Sequence, residues 1–117
     1  MSITRHEQSE IYSKVVEANG FVFTAGIVPS DFSRDVKGQT EEVLREIDRL
    51  LALCGTSRTA IVSATIWLSD IRHREVMNEA WKTWTGGKNS PSRACVEAKL
   101  ADQRMLVEIG VVAAKAV

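Results

Sequence analysis

Two stretches near the C-terminus restrict the fold more than anything else in this chain. Residues 91–100 read PSRACVEAKL and residues 106–113 read LVEIGVVA. Apolar and polar side chains alternate along both, the period of a half-buried β-strand. In the first, Ala94, Val96, Ala98 and Leu100 point one way, and Arg93, Cys95, Glu97 and Lys99 point the other. In the second, Val107, Ile109, Val111 and Ala113 share one side, while Glu108 lies on the opposite side. A strand with one wholly apolar side must bury it, so the chain has to build a sheet and something to cover it.

The rest of the sequence supplies both. YSKVVEA and FVFTAG are two further β-like runs, separated by Asn19-Gly20, the strongest short hairpin signal. A loop holding Pro29, Ser30, Asp31 and Gly38 follows. QTEEVLREIDRLLALCG is an amphipathic helix in which Val43, Ile47, Leu50, Leu51 and Cys54 recur at helical spacing. Glu41 and Glu42 are expected in its first turn, where the helix dipole favours acids, and Gly55 is expected to stop it. TAIVSATIWLS reads as a strand, with Ala60, Val62, Ala64, Ile66 and Leu68 on one face and Ile61, Ser63, Thr65 and Trp67 on the other. Asp70 is placed to cap a second helix, IRHREVMNEAWKTW, whose apolar stripe is Met77, Ala80, Trp81 and Trp84. The expected order is β-β-α-β-α-β-β, an α+β layer with two helices on one face of a mixed sheet in a single domain spanning 1–117.

Composition removes several functions. Lys plus Arg and Asp plus Glu number 15 each, and no basic run or stripe suggests nucleic acid. The longest apolar runs fall far short of a membrane span, and MSITRHEQSE lacks the apolar core of a secretory signal. Cys54 and Cys95 are too few for a disulfide framework, and no CxxC or Cys/His spacing suggests a metal. A reducing, cytoplasmic setting is expected, and the absence of net charge favours self-association.

This assignment leaves Arg93, Cys95 and Glu108 on the sheet face away from the helices, together with Ile61, Trp67, Leu106 and Val112. Such a mixed face suits contact with another subunit. Arg93 and Glu108 there form either a structural ion pair or part of an interfacial pocket. In the pocket, the arginine fork holds a carboxylate and the partly desolvated glutamate acts as acid or base.

SPSRACVEAKL resembles the Pro-x-Arg-x-Cys-Val-Glu strand of the RidA/YjgF family of reactive-intermediate deaminases, formerly called endoribonuclease L-PSP. VEIGVVAA resembles that family's closing Val-Glu-Ile-x-x-x-Ala strand, FVFTAGIVP its strand ending in a small residue and glycine, and MNEAWKTW its asparagine-bearing helix. The resemblance implies a chorismate-mutase-like fold, a homotrimer with its sheets facing inward, and cofactor-independent hydrolysis of 2-imino or enamino acids to 2-oxo acids and ammonia. It implies that Arg93 binds the substrate carboxylate and that Glu108 positions the attacking water. It also implies that Cys95 lends its main chain to the pocket wall, Tyr12 closes the pocket and Gly26 forms the loop beside it. Asn78 corresponds to the helix asparagine, in a structural role. Ala25 stands where many members carry serine and Ile27 where many carry glutamine, a pattern similar to the YoaB-like branch.

Other readings of the same residues are blander. Cys95 has no histidine base in prospect, since His6 is expected in a mobile N-terminus and His73 in the first turn of the second helix, at the opposite side of the sheet and solvated, so it reads as a wall residue. Tyr12 also suits an aromatic covering the hairpin end. Glu97 and Lys99 suit a rim ion pair, and Glu42, Arg45, Glu46, Asp48 and Arg49 a solvated helix face. The competing function is a non-catalytic trimer that binds or senses a small carboxylate such as a 2-oxo acid. Endoribonuclease activity is disfavoured by the lack of a basic or base-stacking surface.

Overall fold

The Asn19-Gly20 turn has φ of 52° and 82°, the twist a two-residue hairpin requires. It joins β2 (Ser13–Ala18) to β3 (Phe21–Thr24). The computed structural model describes residues 2–115. Beyond the hairpin come α1 (Val36–Leu53), β4 (Ile61–Leu68), α2 (Arg74–Thr85), β5 (Ser92–Glu97) and β6 (Val107–Ala114), with short 3-10 turns at Arg58–Ala60 and Ile71–His73. A strand not expected from the sequence, β1 (Ile3–Gln8), precedes them and pairs antiparallel with β2. Its residues lack an apolar face, so no periodicity announces it. Backbone pairing holds it, helped by a His6–Glu17 contact of 2.6 Å and a bidentate Arg49–Glu7 ion pair. His6 therefore sits on an ordered strand.

The six strands form one sheet in the order β1-β2-β3-β6-β4-β5. All neighbours are antiparallel except β4 and β5, which run parallel because α2 carries the chain across between them. The two helices cover one face, as expected. Val43, Ile47, Leu50 and Leu51 of α1 are fully buried, each stabilising the fold by about 1.5–3 kcal/mol relative to exposure. They meet Val15, Val22, Ile66, Ile109 and Ala113 of the sheet, while Met77, Trp81 and Trp84 of α2 close the other end of the core. Among the described residues no helix is long and apolar enough to cross a membrane.

Local chemistry sets the helix limits. α1 starts earlier than the sequence reading because Asp35 caps it, accepting a 2.9 Å bond from the Gly38 N–H. Glu41 and Glu42 consequently lie beyond the first turn. Asp70 caps the 3-10 turn that leads into α2 by accepting from the Arg72 N–H, and Gly86 ends α2 in the left-handed conformation.

Two strand faces differ from expectation. A bulge between Ile61 and Ser63 of β4 shifts the alternation, so Ile61 is buried and Val62 is exposed. More consequentially, β5 is turned over. Ala64 pairs with Arg93 and Ile66 with Cys95. Residues paired across a ladder share a face, and Ala64 and Ile66 are core residues. Arg93, Cys95 and Glu97 therefore face the helix layer, while Ala94 and Val96 are exposed on the other side. β5 is an edge strand, and its apolar residues are too small and few to outweigh the register set by β4.

Candidate active site

β3 leaves β6 abruptly. Phe23 pairs with Val112, and contact resumes at Ile27 and Ile109. Thr24, Ala25 and Gly26 thus face only Gly110 and Val111, the extra residue of a β-bulge. The Thr24 hydroxyl fills the break, accepting from the Val111 N–H at 3.0 Å and donating to the Ala25 carbonyl at 2.9 Å. Two bonds between Ile27 and Ile109, of 2.8 and 3.0 Å, pin the far side. Nothing in the sequence reading singled out Thr24; a polar residue ending an apolar strand beside Ala-Gly is the signal that could have done so.

Glu108 occupies the space this bulge opens. A Cβ added to Gly26 would collide with its carboxylate Oε2 and lie 2.9 Å from Cδ. A side chain at this position would push the carboxylate out of the place it holds. Glu108 faces away from the helices, beside Trp67 of β4. Burial raises its pKa above the ordinary carboxylate value, the shift a general acid or base near neutrality requires.

Tyr12 and Gly26 line a common cavity of about 600 Å³, whose far wall is Ser30, Glu42 and Arg45 of the following loop and α1. The Tyr12 ring is exposed, and its backbone is fixed by a turn in which Ser9 N–H donates to the Tyr12 carbonyl at 2.8 Å. Ala25 packs its methyl group against the core.

Of the α1 face expected to be solvated, Arg45 is exposed, while Glu42, Glu46, Asp48 and Arg49 are engaged. Glu42 accepts from the Ser30 N–H and hydroxyl and from the Asp31 N–H, holding the loop after Gly26 against the helix. Glu46 binds Lys14 and Arg49, which push its carboxyl down to about 2. Asp48 accepts from Arg58 and from the Trp84 indole N–H.

Arg93 lies elsewhere. Its guanidinium stacks over the Trp81 ring at 5.2 Å, a cation–π contact that orients the fork without using its donors. Cys95 is half-buried on the same face. Asn78 lies three residues before Trp81 on α2, and its side-chain carbonyl is buried without a partner. The Nδ1 of His73 is also buried without a partner, contrary to the solvated position expected for this residue. Glu97 accepts from the Ile71 N–H at 3.0 Å rather than forming a rim pair with Lys99. Cys54 is core packing, and burial pushes its thiol up to about 11.

Arg93 and Glu108 are therefore on opposite faces, on strands separated by β4. Two strand spacings are roughly 10 Å, and the thickness of the sheet adds to that. The expectation that they share a face is corrected. One chain holds two separate groupings, Gly26 with Glu108 at the bulge, beside the cavity that Tyr12 lines, and Arg93 with Cys95 on the face that meets Trp81 of α2.

The family model described as Endoribonuclease L-PSP matches residues 3–115. The chain belongs to this family. A RutC family protein of Haemophilus ducreyi is 41% identical, covering 96% of each chain. The RutC family protein YoaB of Escherichia coli is 35% identical over 97% of this chain and 99% of its own. A YjgF family protein of Neisseria meningitidis superposes with a TM-score of 0.96 at 38% identity, covering 100% of this chain and 98% of its own. The chorismate-mutase-like RutC/YjgF architecture is thus that of this chain throughout.

Proposed function

We propose that the chain hydrolyses 2-imino and enamino acids to 2-oxo acids and ammonia, in a homotrimer whose clefts combine Arg93 of one protomer with Gly26 and Glu108 of the next. The observation that carries this reading is the separation of Arg93 from Glu108 within a chain. Each is half-buried, neither forms an ion pair among the described residues, and each grouping supplies half of one site. The uncovered sheet face supports association, because Phe21, Phe23 and Val96 are exposed there. A heterologous contact between copies that closes into a ring would bring one protomer's β5 edge to its neighbour's β3–β6 bulge.

The chemistry follows from the residue types. Arg93 holds the carboxylate through two parallel N–H donors. The imine carbon is thereby fixed beside Glu108. Glu108 accepts a proton from water as the water oxygen bonds to the C=N carbon. It returns that proton to the nitrogen, giving a carbinolamine; it then takes the proton of the new hydroxyl and passes it to the same nitrogen, so that the C=O bond forms as the C–N bond breaks and ammonia leaves the 2-oxo acid. Tyr12 closes the mouth of the cleft, and the Cys95 main chain and the Gly26 loop form its walls. Cys95 serves in this reading as a wall residue, with no covalent intermediate.

Imine generated in place by an amino-acid oxidase, with semicarbazide trapping what survives, measures the activity. Wild type lowers the trapped fraction; Arg93→Ala and Glu108→Gln each abolish the effect. Co-folding the two variants one to one makes about a quarter of the clefts wild type in a ring with heterologous contacts, so activity returns to that fraction. No recovery rejects the shared cleft. No activity from wild type on several imines favours the carboxylate-binding reading, to which Ala25 lends support by removing a pocket hydroxyl.

A further inference from the structure

A second cluster of reactive groups lies at the other end of α1, and it shares no residue with the cavity beside Gly26. His6 of β1, Glu17 of β2 and Cys54 at the C-terminus of α1 each present one ligand atom, all within 4.8 Å of one another. The register explains the meeting. Thr4 pairs with Glu17 and His6 with Val15, so His6 and Glu17 are diagonal neighbours on the strand face that Val15 packs toward α1. Cys54 descends onto the same spot, almost fully buried. We propose that His6, Glu17 and Cys54 form a binding site for a divalent transition metal of the zinc class.

The donor set selects the metal. Imidazole nitrogen, carboxylate oxygen and thiolate sulfur are zinc's ligands, whereas calcium and magnesium take oxygen alone. Three protein ligands leave a fourth position for water, and the His6 edge, the most exposed of the three, is the way in. Lys115 already holds the other carboxylate oxygen of Glu17, Oε1, at 2.5 Å. That contact leaves Oε2 aimed at His6 and steadies the carboxylate, as outer partners do around metal ligands. On binding, the His6–Glu17 hydrogen bond of 2.6 Å is replaced by a bond from each residue to the metal. The Cys54 thiol releases its proton to solvent, and the neutral His6 ring, whose Nε2–H donates to Glu17 in the free protein, moves its proton to Nδ1 so that Nε2 ligates. The net change is one proton released per metal bound, with no change of oxidation state. The site is invisible in the sequence because its members are 11 and 37 positions apart, with no short motif joining them.

Chelator-treated full-length protein titrated with cobalt(II) tests this. One cobalt per chain is expected, with a thiolate-to-cobalt charge-transfer band that zinc removes by displacement. Cys54→Ser abolishes the band and Cys95→Ser keeps it. His6→Gln, on a partly exposed edge strand, preserves the fold by circular dichroism and weakens cobalt binding by more than about tenfold, a loss that removal of an outer partner alone can reach. Absence of the band in wild type overturns the site. So does a band that survives Cys54→Ser, or unchanged affinity in His6→Gln, which decides the matter should Cys54→Ser not fold. Imine hydrolysis is not part of the readout, so either proposal can fail alone.

Discussion

The carboxylate of Glu108 occupies the volume that any side chain on Gly26 would need. Gly26→Ala must therefore displace it. The variant is expected to lose about 1–3 kcal/mol, as overpacked sites do, and to lose imine hydrolysis. The double variant Gly26→Ala/Glu108→Ala should recover most of the stability and none of the activity. Urea unfolding of the four proteins of this cycle checks the coupling. Additive losses would place the cause elsewhere.

Glu108 is held at a raised pKa by burial. Its folded value lies above its unfolded value, so the folded state retains the proton longer. Stability is then lost as pH rises through the interval between the two values. Glu108→Gln is expected to melt a few degrees higher than wild type at pH 7 and equally at pH 4, while inactive at both. Thermal melts at the two pH values measure this, and a uniform shift would sink it.

Gln39 is fully buried and ties α1 to the segment before β6. Its amide donates to the Arg34 and Arg104 carbonyls at 3.2 and 3.0 Å, and its carbonyl accepts from the Leu106 N–H at 2.8 Å. Gln39→Leu leaves three backbone groups without these partners and should cost about 2–4 kcal/mol. Hydrogen exchange should accelerate at the Leu106 amide beyond the change in global stability. Unaltered protection there would show that the segment holds itself.

Glu46, lowered to about 2 first by its bonds to Arg49 and then by Lys14, behaves in the opposite sense to Glu108. Its stabilising contribution is complete above its ordinary pKa of 4.5 and is lost as pH falls from there toward 2. Glu46→Gln should flatten the acid branch of the stability curve by on the order of 1 kcal/mol, after allowance for solvent screening. Equal acid slopes in the two proteins would assign the acid sensitivity to other carboxylates.

The layer architecture was legible because each helix and inner strand carries its own burial pattern. Val43 to Leu51 and Val107 to Ala113 are periodic whatever surrounds them. β1 was not legible, since its pairing rests on backbone bonds and on partners such as Arg49, 42 positions away from Glu7. The site residues were named from the resemblance of short motifs, and Gly26 and Glu108 prove to touch. Their local reason, the bulge at Thr24, appears only when β3 is laid against β6.

Sequence alone determined the hairpin, the two helices, the inner strands and the residue types able to bind a carboxylate and move a proton. Those features depend on side chains within a few positions of one another. The tertiary structure decided which way β5 faces, and hence that Arg93 stacks on Trp81 while Glu108 lies across the sheet. It also gathered His6, Glu17 and Cys54. An alternating strand is symmetric under a half-turn about its axis. When neither face is strongly apolar, only hydrogen-bond register with a neighbouring strand chooses between the two.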